Sequence, residues 1–218
     1  MRLYHFVNRE FGLANLTKRR LKIARWNDLN DPFELAGAIF ADKDLRKEMR
    51  RIKDEIHAAM GMLCFSKNWR NPVQWSHYAD NHRGICLGFD VQDDILQEVD
   101  YVPKRIECTL EEIQASSDKE THENLIHVMM ATKYIDWHYE QEVRVFSMLK
   151  NEDNGLFFQK FDQDVELREV IVGASAQVSR ADVAQALGAH AEGVDVCKAR
   201  LGFNKFEIVR NKDESLWK

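Results

Sequence analysis

The sequence predicts an α+β fold with a mixed or antiparallel sheet core flanked by helices. Strand-like and helix-like segments are interspersed along the 218 residues without strict strand–helix alternation. A hydrophobic content of 44% is enough for a substantial core, and 31% charged residues predict a well-solvated surface. Three prolines and the lack of a Gly/Ser-rich linker indicate one domain over residues 1–218.

The N-terminal segment predicts two short strands around a helix. Leu3 to Val7 forms the first strand, and a helix follows around Phe11 to Lys18. Leu21 to Trp26 alternates in a way that is typical of a half-buried strand. Asn27 to Glu34 is rich in Asn and Asp and contains Pro32, so we predict a loop there.

The next segment carries the longest predicted helix and two core strands. The helix is predicted from Asp42 to Met60, where apolar residues recur at helical spacing and the other face is charged. The apolar run Gly61 to Ser66 (GMLCFS) predicts a buried strand. Val73 to Asn81 predicts a short helix, and Gly84 to Asp90 (GICLGFD) predicts the second core strand.

The C-terminal half predicts further strands and a capped helix. Glu142 to Met148 alternates Val with polar residues, and Glu169 to Gly173 (EVIVG) is apolar, so both predict strands. Ser179 is predicted to cap a helix that ends near Leu187. The remaining elements are a strand at Asp100 to Pro103, a helix from Thr109 to about Lys133, and one or two strands between Val194 and Val209.

Composition and charge argue against several classes of protein. The net charge of -5 gives no overall basic surface, which disfavours a protein that coats DNA regardless of sequence. No signal-peptide pattern opens the chain and its apolar runs are too short to span a bilayer. We therefore expect a cytoplasmic protein with no membrane partner. Four cysteines without a C-x-x-C pair indicate buried free thiols.

Several catalytic motifs are missing from the sequence. It contains neither GxGxxG nor GxxxxGK[ST], which argues against a Rossmann dehydrogenase and a P-loop enzyme. The histidines form no HExxH or HxxxH arrangement, so no metal site is expected. No GxSxG motif marks a hydrolase nucleophile.

The first strand and the following loop supply the first candidate site residues. Tyr4 and His5 are neighbours on a strand, so one faces the core and the other faces a groove. In the loop, carboxylates and amides of Asn30, Asp31 and Glu34 crowd around Phe33, an arrangement suited to clamping a nucleotide base and a ribose. The simpler interpretation of the loop is a capped, proline-braced turn before a helix.

The segment from Asn71 to Gly84 is dense in hydrogen-bonding and aromatic side chains. Helical spacing places Asn71, Trp75 and Tyr78 on one face, with a second polar face formed by Gln74, His77 and Asn81. Trp75 and Tyr78 either contact a ligand or anchor the core, which is the commoner use of large aromatic residues.

The segment WHYEQEVRVF contains the candidate catalytic carboxylates. On a strand, Glu140, Glu142 and Arg144 share one face, and Val143 and Val145 take the other. One interpretation is a Glu–Arg ladder on an exposed sheet face. In the other, Arg144 orients one carboxylate while the second stabilises positive charge that develops on a substrate.

Together these motifs resemble a known family. YHF, LNDPFE, CFS, WSHYADNHRGICLGFD and W-x-YExEVR, in this order over about residues 3–173, resemble bacterial domain-of-unknown-function family number twenty-nine seventy-one. That family is distantly similar to DarT-like ADP-ribosyltransferases, which open with a Tyr-His strand and place a catalytic glutamate at the start of an x-x-Glu-Val-x-Val strand. Glu142-Val143-Arg144-Val145 fits that form.

The resemblance implies an ADP-ribosyltransferase-like fold and an enzyme that uses NAD as substrate to modify a macromolecule, nucleic acid or protein. It also implies a bacterial toxin or antiphage role. Arg25 and Arg83 both remain candidates to hold the diphosphate, and Ser66 competes with Tyr78 as the second triad residue. The catalytic residues expected are Glu142 and Glu140. The residues expected at NAD are Tyr4, His5, Asn30, Asp31, Phe33, Trp75, Tyr78, Arg83 and Arg144.

Two rival functions are compatible with the same residues. In a metal-dependent nuclease, magnesium would be held by Asp31, Glu34, Glu140 and Glu142. Arg144 is a poor substitute for the lysine of the nuclease E-x-K pattern, because arginine stays protonated. The other rival is a binding module that recognises a nucleotide or other ligand without chemistry.

Overall fold

The computed structural model describes residues 1–34, 36–40, 42–108, 128, 130–150, 152–213, 215 and 217. The helix predicted from Thr109 to about Lys133 lies mostly outside these residues, and its described C-terminal end includes a strand, Thr132–Tyr134. Within the described part, four α-helices and a large sheet form an α+β architecture. The helices are α1 (Arg9–Lys18), α2 (Lys43–Ala59), α3 (Pro72–Tyr78) and α4 (Arg180–Leu187).

An eight-stranded sheet forms the centre of the described fold, in the order β14-β13-β12-β5-β1-β4-β10-β6. Its pairings are antiparallel except for the parallel pair β12–β13, so the sheet is mixed, as predicted. The strands are β1 (Arg2–Val7), β2 (Arg20–Lys22), β3 (Ala38–Phe40), β4 (Met60–Ser66), β5 (Ile85–Val91), β6 (Gln97–Glu98), β7 (Asp100–Val102), β8 (Ile106–Cys108), β9 (Thr132–Tyr134), β10 (Glu142–Met148), β11 (Phe158–Lys160), β12 (Val165–Val172), β13 (Asp195–Leu201) and β14 (Ile208–Arg210).

Local capping residues set the starts of the helices. Asn8 accepts a hydrogen bond from the backbone N–H of Phe11, which starts α1 two residues earlier than predicted. Asp42 caps α2 in the same way, and Ser179 forms a reciprocal capping box with Asp182 at α4. The predicted starts of α2 and α4 are therefore confirmed.

The core lies mainly on one face of the central strands. Leu3, Phe65 and Val143 occupy neighbouring positions on β1, β4 and β10, and all three are buried. On the other face, Trp75 of α3 packs edge-on against Phe6 of β1. Alternation along each strand divides the two sets, because successive side chains point to opposite faces.

The sheet opens between β1 and β4. β1 pairs with β5 at six positions, from Arg2 to Val7, and β4 pairs with β10 at seven, from Met60 to Ser66. Between the fully described strands β1 and β4, the pairing is limited to Tyr4 opposite Ser66. The two strands therefore diverge on one side of this pair, and a cleft forms where a continuous ladder would otherwise run.

Two of the differences between predicted and observed elements lie next to the cleft. The strand predicted over Leu21 to Trp26 ends at Lys22, after which Ala24 makes an isolated bridge to Met62. Glu140 was expected on a strand with Glu142, but it ends a 3-10 turn, Ile135–Glu140. Gln141 then adopts a left-handed conformation (φ 46°), which separates the turn from the strand.

Candidate functional site

The cleft between β1 and β4 has a volume of ≈ 240 Å³. Polar side chains from both sides of the sheet opening line it together with the loop after β2 and helix α3. These residues include Tyr4, His5, Asn30, Glu34, Cys64, Ser66, Gln74, Tyr78, Lys133, Glu140 and Glu142. The structure therefore brings residues from all four predicted segments to one cavity.

Three carboxylates and two cations meet at one end of the cleft. Lys133 Nζ lies 2.7 Å from Glu140 Oε2, 3.1 Å from Glu142 Oε2 and 3.6 Å from Glu34 Oε1. All these side chains, with Arg144, are nearly or fully buried. We call these five residues the carboxylate cluster. Its net charge is -1 when Glu34, Glu140 and Glu142 are ionised, since three negative charges face two positive ones.

Arg144 forms the base of the carboxylate cluster. Its Nε and Nη2 donate to the two oxygens of Glu142 at 2.9 and 3.2 Å, and Nη2 also donates to Glu34 Oε1 at 2.7 Å. Its Nη1 donates to the backbone oxygen of Met130 at 2.6 Å. With 0% of its surface exposed, Arg144 does not line the cleft. It positions two carboxylates and has no surface to offer a cofactor.

The surroundings move the pKa values of the carboxylates in opposite directions. Burial alone would raise the pKa of Glu142, but the positive charges of Arg144 and Lys133 outweigh it and hold the value at about 2. Burial raises the pKa of Glu140, and Lys133 and Tyr78 only partly offset that rise. Glu142 is thus a permanent anion near neutral pH, whereas Glu140 exchanges a proton more readily.

Helix α3 holds the turn that carries Glu140. Gln74 Nε2 donates to the backbone oxygens of Tyr139 at 3.0 Å and Glu140 at 2.9 Å. Ser66 Oγ donates to the same Glu140 oxygen at 2.6 Å. The Tyr78 hydroxyl donates to the carboxylate of Glu140. These contacts fix a short irregular segment that would otherwise be poorly ordered.

On the β1 side of the opening, a side-chain hydrogen bond from His5 joins β1 to β4 in place of backbone pairing. Its Nδ1 donates to the backbone oxygen of Cys64 at 3.0 Å. Burial lowers its pKa, so the imidazole is largely neutral at pH 7. Tyr4 also lines the cleft, and burial and Glu169 raise its pKa to about 12.

The register places three of the candidate residues in one row across the sheet. Tyr4 lies opposite Ser66 on β4, and Ser66 lies opposite Glu142 on β10. Directly opposed residues point to the same face. Ser66 therefore lies between the opening strand and Glu142, whereas Tyr78 reaches the carboxylate cluster from α3.

Other predicted residues lie away from the cleft. Trp75 is 0% exposed in the core and donates from Nε1 to the backbone oxygen of Trp69. Helical spacing had grouped Trp75 with Tyr78, but Gln74 and Tyr78 are the α3 residues that line the cleft. Arg83 is exposed and pairs with Asp80 at 2.9 Å.

Phe33 and Asp31 line a second cavity instead, of ≈ 440 Å³, on another side of Lys133. Phe33 is 57% exposed, and the buried Asp31 carboxylate accepts a hydrogen bond from the Phe33 backbone N–H. This contact is the capped turn of the simpler interpretation, but among the described residues the turn is followed by β3 and not by a helix. Asn30 is the member of this group that lines the cleft.

Neither candidate arginine for a diphosphate reaches the cleft. Arg25 donates to the backbone oxygen of His57, and Arg83 lies at the surface. Among the described residues that line the cleft, the cations are Lys22 and Lys133. Lys22 pairs with Asp28 at 3.3 Å, so its ammonium lies at the more exposed end.

Sequence reasoning missed Lys133, the centre of the carboxylate cluster. Lys133 was placed at the end of a predicted helix, and the residues next to it in sequence do not indicate a functional site. The E-x-E pattern of Glu140 and Glu142 was the available signal, because two buried carboxylates require a nearby cation. Gln74 was recognised as polar but was assigned to a face away from the site.

Comparison with known proteins adds one match. Residues 74–145 match the family model described as "Protein of unknown function (DUF2971)". The matched segment begins in α3 and ends just after Arg144, so it includes most of the carboxylate cluster. No curated protein and no solved structure matches the chain. Among the described residues, no helix is long and apolar enough to cross a membrane. Over the matched segment, the chain is therefore similar to a family for which this description gives no activity.

Proposed function

We propose that this protein is an ADP-ribosyltransferase-like enzyme that uses NAD as substrate and modifies a macromolecule. One observation carries the proposal: two buried carboxylates, Glu140 and Glu142, lie at one end of a cleft that opens between the His5 strand and its neighbour. The cleft volume of ≈ 240 Å³ is smaller than that of most pockets for drug-sized ligands. It suits the nicotinamide–ribose end of NAD, with the adenosine diphosphate end extending outside.

The chemistry of that bond fits a negatively charged pocket. When the bond between ribose C1′ and the nicotinamide nitrogen breaks, its electron pair leaves with neutral nicotinamide and the ribose gains oxocarbenium character. A fixed anion nearby stabilises this charge, and no strong acid is needed for the leaving group. Glu142, with a pKa of about 2, is the fixed anion of the cleft.

The second carboxylate has a different role in the proposal. Burial raises the pKa of Glu140, and its side chain is held by Lys133 and Tyr78. A carboxylate of this kind accepts a proton efficiently. Glu140 therefore takes the proton from the acceptor nucleophile as the new bond to C1′ forms. His5 and Asn30 are the proposed contacts for the ribose and amide.

The contacts within the carboxylate cluster weigh against the nuclease alternative. Glu34, Glu140 and Glu142 already bind the cationic groups of Lys133 and Arg144, which take the positions that magnesium would occupy. Asp31 caps a turn that lines the second cavity, on another side of Lys133. It is therefore not placed to bind magnesium together with Glu34, Glu140 and Glu142. The acceptor in the proposal is a nucleic acid or protein, in keeping with a toxin or antiphage effector.

The test is to incubate purified protein with radiolabelled NAD, with and without cell lysate, and to follow nicotinamide release and label transfer. Glu142→Gln is expected to lower nicotinamide release by about 100-fold or more, because it removes the charge opposite the oxocarbenium. Glu140→Gln is expected to reduce transfer to the acceptor more than it reduces nicotinamide release. The matched control, Glu192→Gln, changes an exposed glutamate outside the cleft and should behave as wild type.

Three outcomes separate the alternatives. If wild-type protein neither turns over NAD nor binds it by calorimetry, the proposal is refuted. Nucleic-acid cleavage that EDTA abolishes would instead identify a nuclease. Calorimetric binding of NAD without turnover, in both wild type and Glu142→Gln, would identify a binding module. Circular dichroism of each variant checks that loss of activity is not loss of fold.

A further inference from the structure

The turn between β13 and β14 exposes an unusual set of apolar side chains. Leu201 is 63% exposed, Phe203 is 87% exposed and Phe206 is 99% exposed. We call these three residues the apolar tip. Most of the surface of both phenyl rings therefore faces solvent. Contiguous exposed apolar groups of this kind mark interaction sites in soluble proteins.

The backbone of this turn is held in one conformation. Gly202 N–H donates to the backbone oxygen of Glu207 at 2.8 Å, and Glu207 N–H donates to that of Lys205 at 2.9 Å. A Cβ at Gly202 would lie 2.9 and 3.0 Å from the same two oxygens, so the turn requires glycine there. The phenyl rings are thus presented by a fixed turn, which limits their collapse onto the protein surface.

Two cations, Arg200 and Lys205, belong to the turn and the strand end that carry the apolar tip. The guanidinium of Arg200 lies 4.1 Å from the centre of the Phe203 ring, and Lys205 lies between the two phenylalanines in sequence. Glu207 supplies one negative charge in the same turn. This region is therefore positive, although the whole chain has a net charge of -5.

We infer that the apolar tip and its cations bind an anionic lipid surface. Exposed apolar side chains fit a fluid interface that closes around them, and the adjacent cations meet the negative headgroups. Attachment of this kind is peripheral and needs no spanning helix. It would revise the sequence-based expectation of no membrane partner, and it does not depend on the proposed reaction in the cleft.

A single-stranded nucleic acid is the main competing partner, because bases also stack on aromatic rings beside cations. Such partners are bound along a positively charged groove. The cavity of ≈ 380 Å³ at this turn is not such a groove, because the charges of Lys205 and Glu207 in its lining balance. Phe206 also has almost its whole surface in solvent. The lipid surface is therefore the better fit, and the nucleic acid becomes an outcome of the test.

The test is flotation of the full chain with vesicles of phosphatidylcholine alone and of phosphatidylcholine with phosphatidylglycerol in equal amounts. Wild-type protein is expected to float with the anionic vesicles and to remain unbound with the neutral ones. The double variant Phe203→Ala/Phe206→Ala should bind the anionic vesicles about tenfold more weakly or worse. Arg200→Gln/Lys205→Gln should weaken binding by a similar factor, and added salt should weaken wild-type binding.

The matched control is Phe11→Ala, which removes a 58% exposed phenylalanine from α1 and should leave flotation unchanged. Unchanged thermal melting of the double variants shows that the fold is intact; three of the four changed side chains are exposed and Arg200 is half-buried. The inference is overturned if wild type fails to float with anionic vesicles, or if either double variant floats as well as wild type. Equal binding to neutral vesicles, or binding only to single-stranded oligonucleotides, also overturns it.

Discussion

Arg144 is a fully buried cation whose every nitrogen has an acceptor. It donates to Glu142, to Glu34 and to the backbone of Met130. The sequence left two interpretations open, an exposed ladder or an oriented carboxylate. With 0% exposure for Arg144, the exposed ladder is wrong. A buried cation that pairs with two buried carboxylates also makes a strong prediction about stability.

Replacing Arg144 with Met should destabilise the protein by about 3 kcal/mol or more, because it leaves buried carboxylates without their partner. Urea unfolding followed by tryptophan fluorescence measures the change. The control is Arg83→Met, which removes an exposed pair with Asp80 and should change the free energy of unfolding by less than about 1 kcal/mol. Equal effects of the two substitutions would show that the carboxylate cluster contributes little to stability.

Glu142 predicts how stability changes in acid. Its pKa is about 2 in the folded protein, against an ordinary value of 4.5. Between these values the unfolded chain binds the proton and the folded chain does not. Lowering the pH through this window therefore favours unfolding, and the stabilisation by ionised Glu142 is complete only above pH 4.5.

Wild type should accordingly lose more stability than Glu142→Gln as the pH falls from 4.5 to about 2. Urea unfolding of both proteins at several pH values gives the difference directly. Parallel stability curves for the two proteins over this range would contradict the low pKa of Glu142.

At the scale of elements, the turn after α3 decides how the helix meets the sheet. Asp80, Asn81 and His82 have positive φ angles of 46°, 52° and 67°. Three left-handed residues in succession cannot continue a right-handed helix. They end α3 at Tyr78, short of the predicted Asn81, and return the chain to β5 within a few residues.

Gly84 completes this turn and predicts a backbone requirement. A Cβ at Gly84 would lie 2.2 Å from the backbone oxygen of Val7 and 2.9 Å from that of Ala79. Gly84→Ala is therefore expected to cost about 2 kcal/mol or more, since backbone must move to admit the methyl group. α3 would shift with it, and α3 holds Glu140.

The control is Gly155→Ala, in a position with φ of 78° and open space around the added methyl group. Only its backbone conformation is strained, at a cost of about 1–2 kcal/mol. Chemical denaturation compares the two variants. If Gly84→Ala is as stable as wild type, the close approach of Val7 and Gly84 is incorrect.

At the scale of the whole molecule, the strand order creates the cleft. β1 comes first in the chain, yet it lies in the middle of the sheet between β5 and β4. This arrangement aligns Tyr4, Ser66 and Glu142 in one row, although they are far apart in sequence. The apolar tip joins β13 to β14, three to four strands from β1, which corresponds to roughly 14–19 Å at ordinary strand spacing.

The sequence by itself determined the local features of this protein. The alternation of Val with polar residues predicted β10 from Glu142 to Met148, as observed. Helical spacing predicted the start of α2 at Asp42, and Ser179 predicted that of α4, because a cap depends on residues within one turn of the helix. Periodicity also separated the apolar face of β10 from the face that carries Glu142 and Arg144.

The tertiary structure decided which polar residues share a site. Periodicity tells which side chains share a face of an element, but not what packs on that face. Trp75 therefore entered the core while Gln74 and Tyr78 reached the cleft. Lys133 became the partner of Glu140 and Glu142 only through folding of the intervening turn. The cleft itself depends on the divergence of β1 from β4, a register between distant segments that no local pattern encodes.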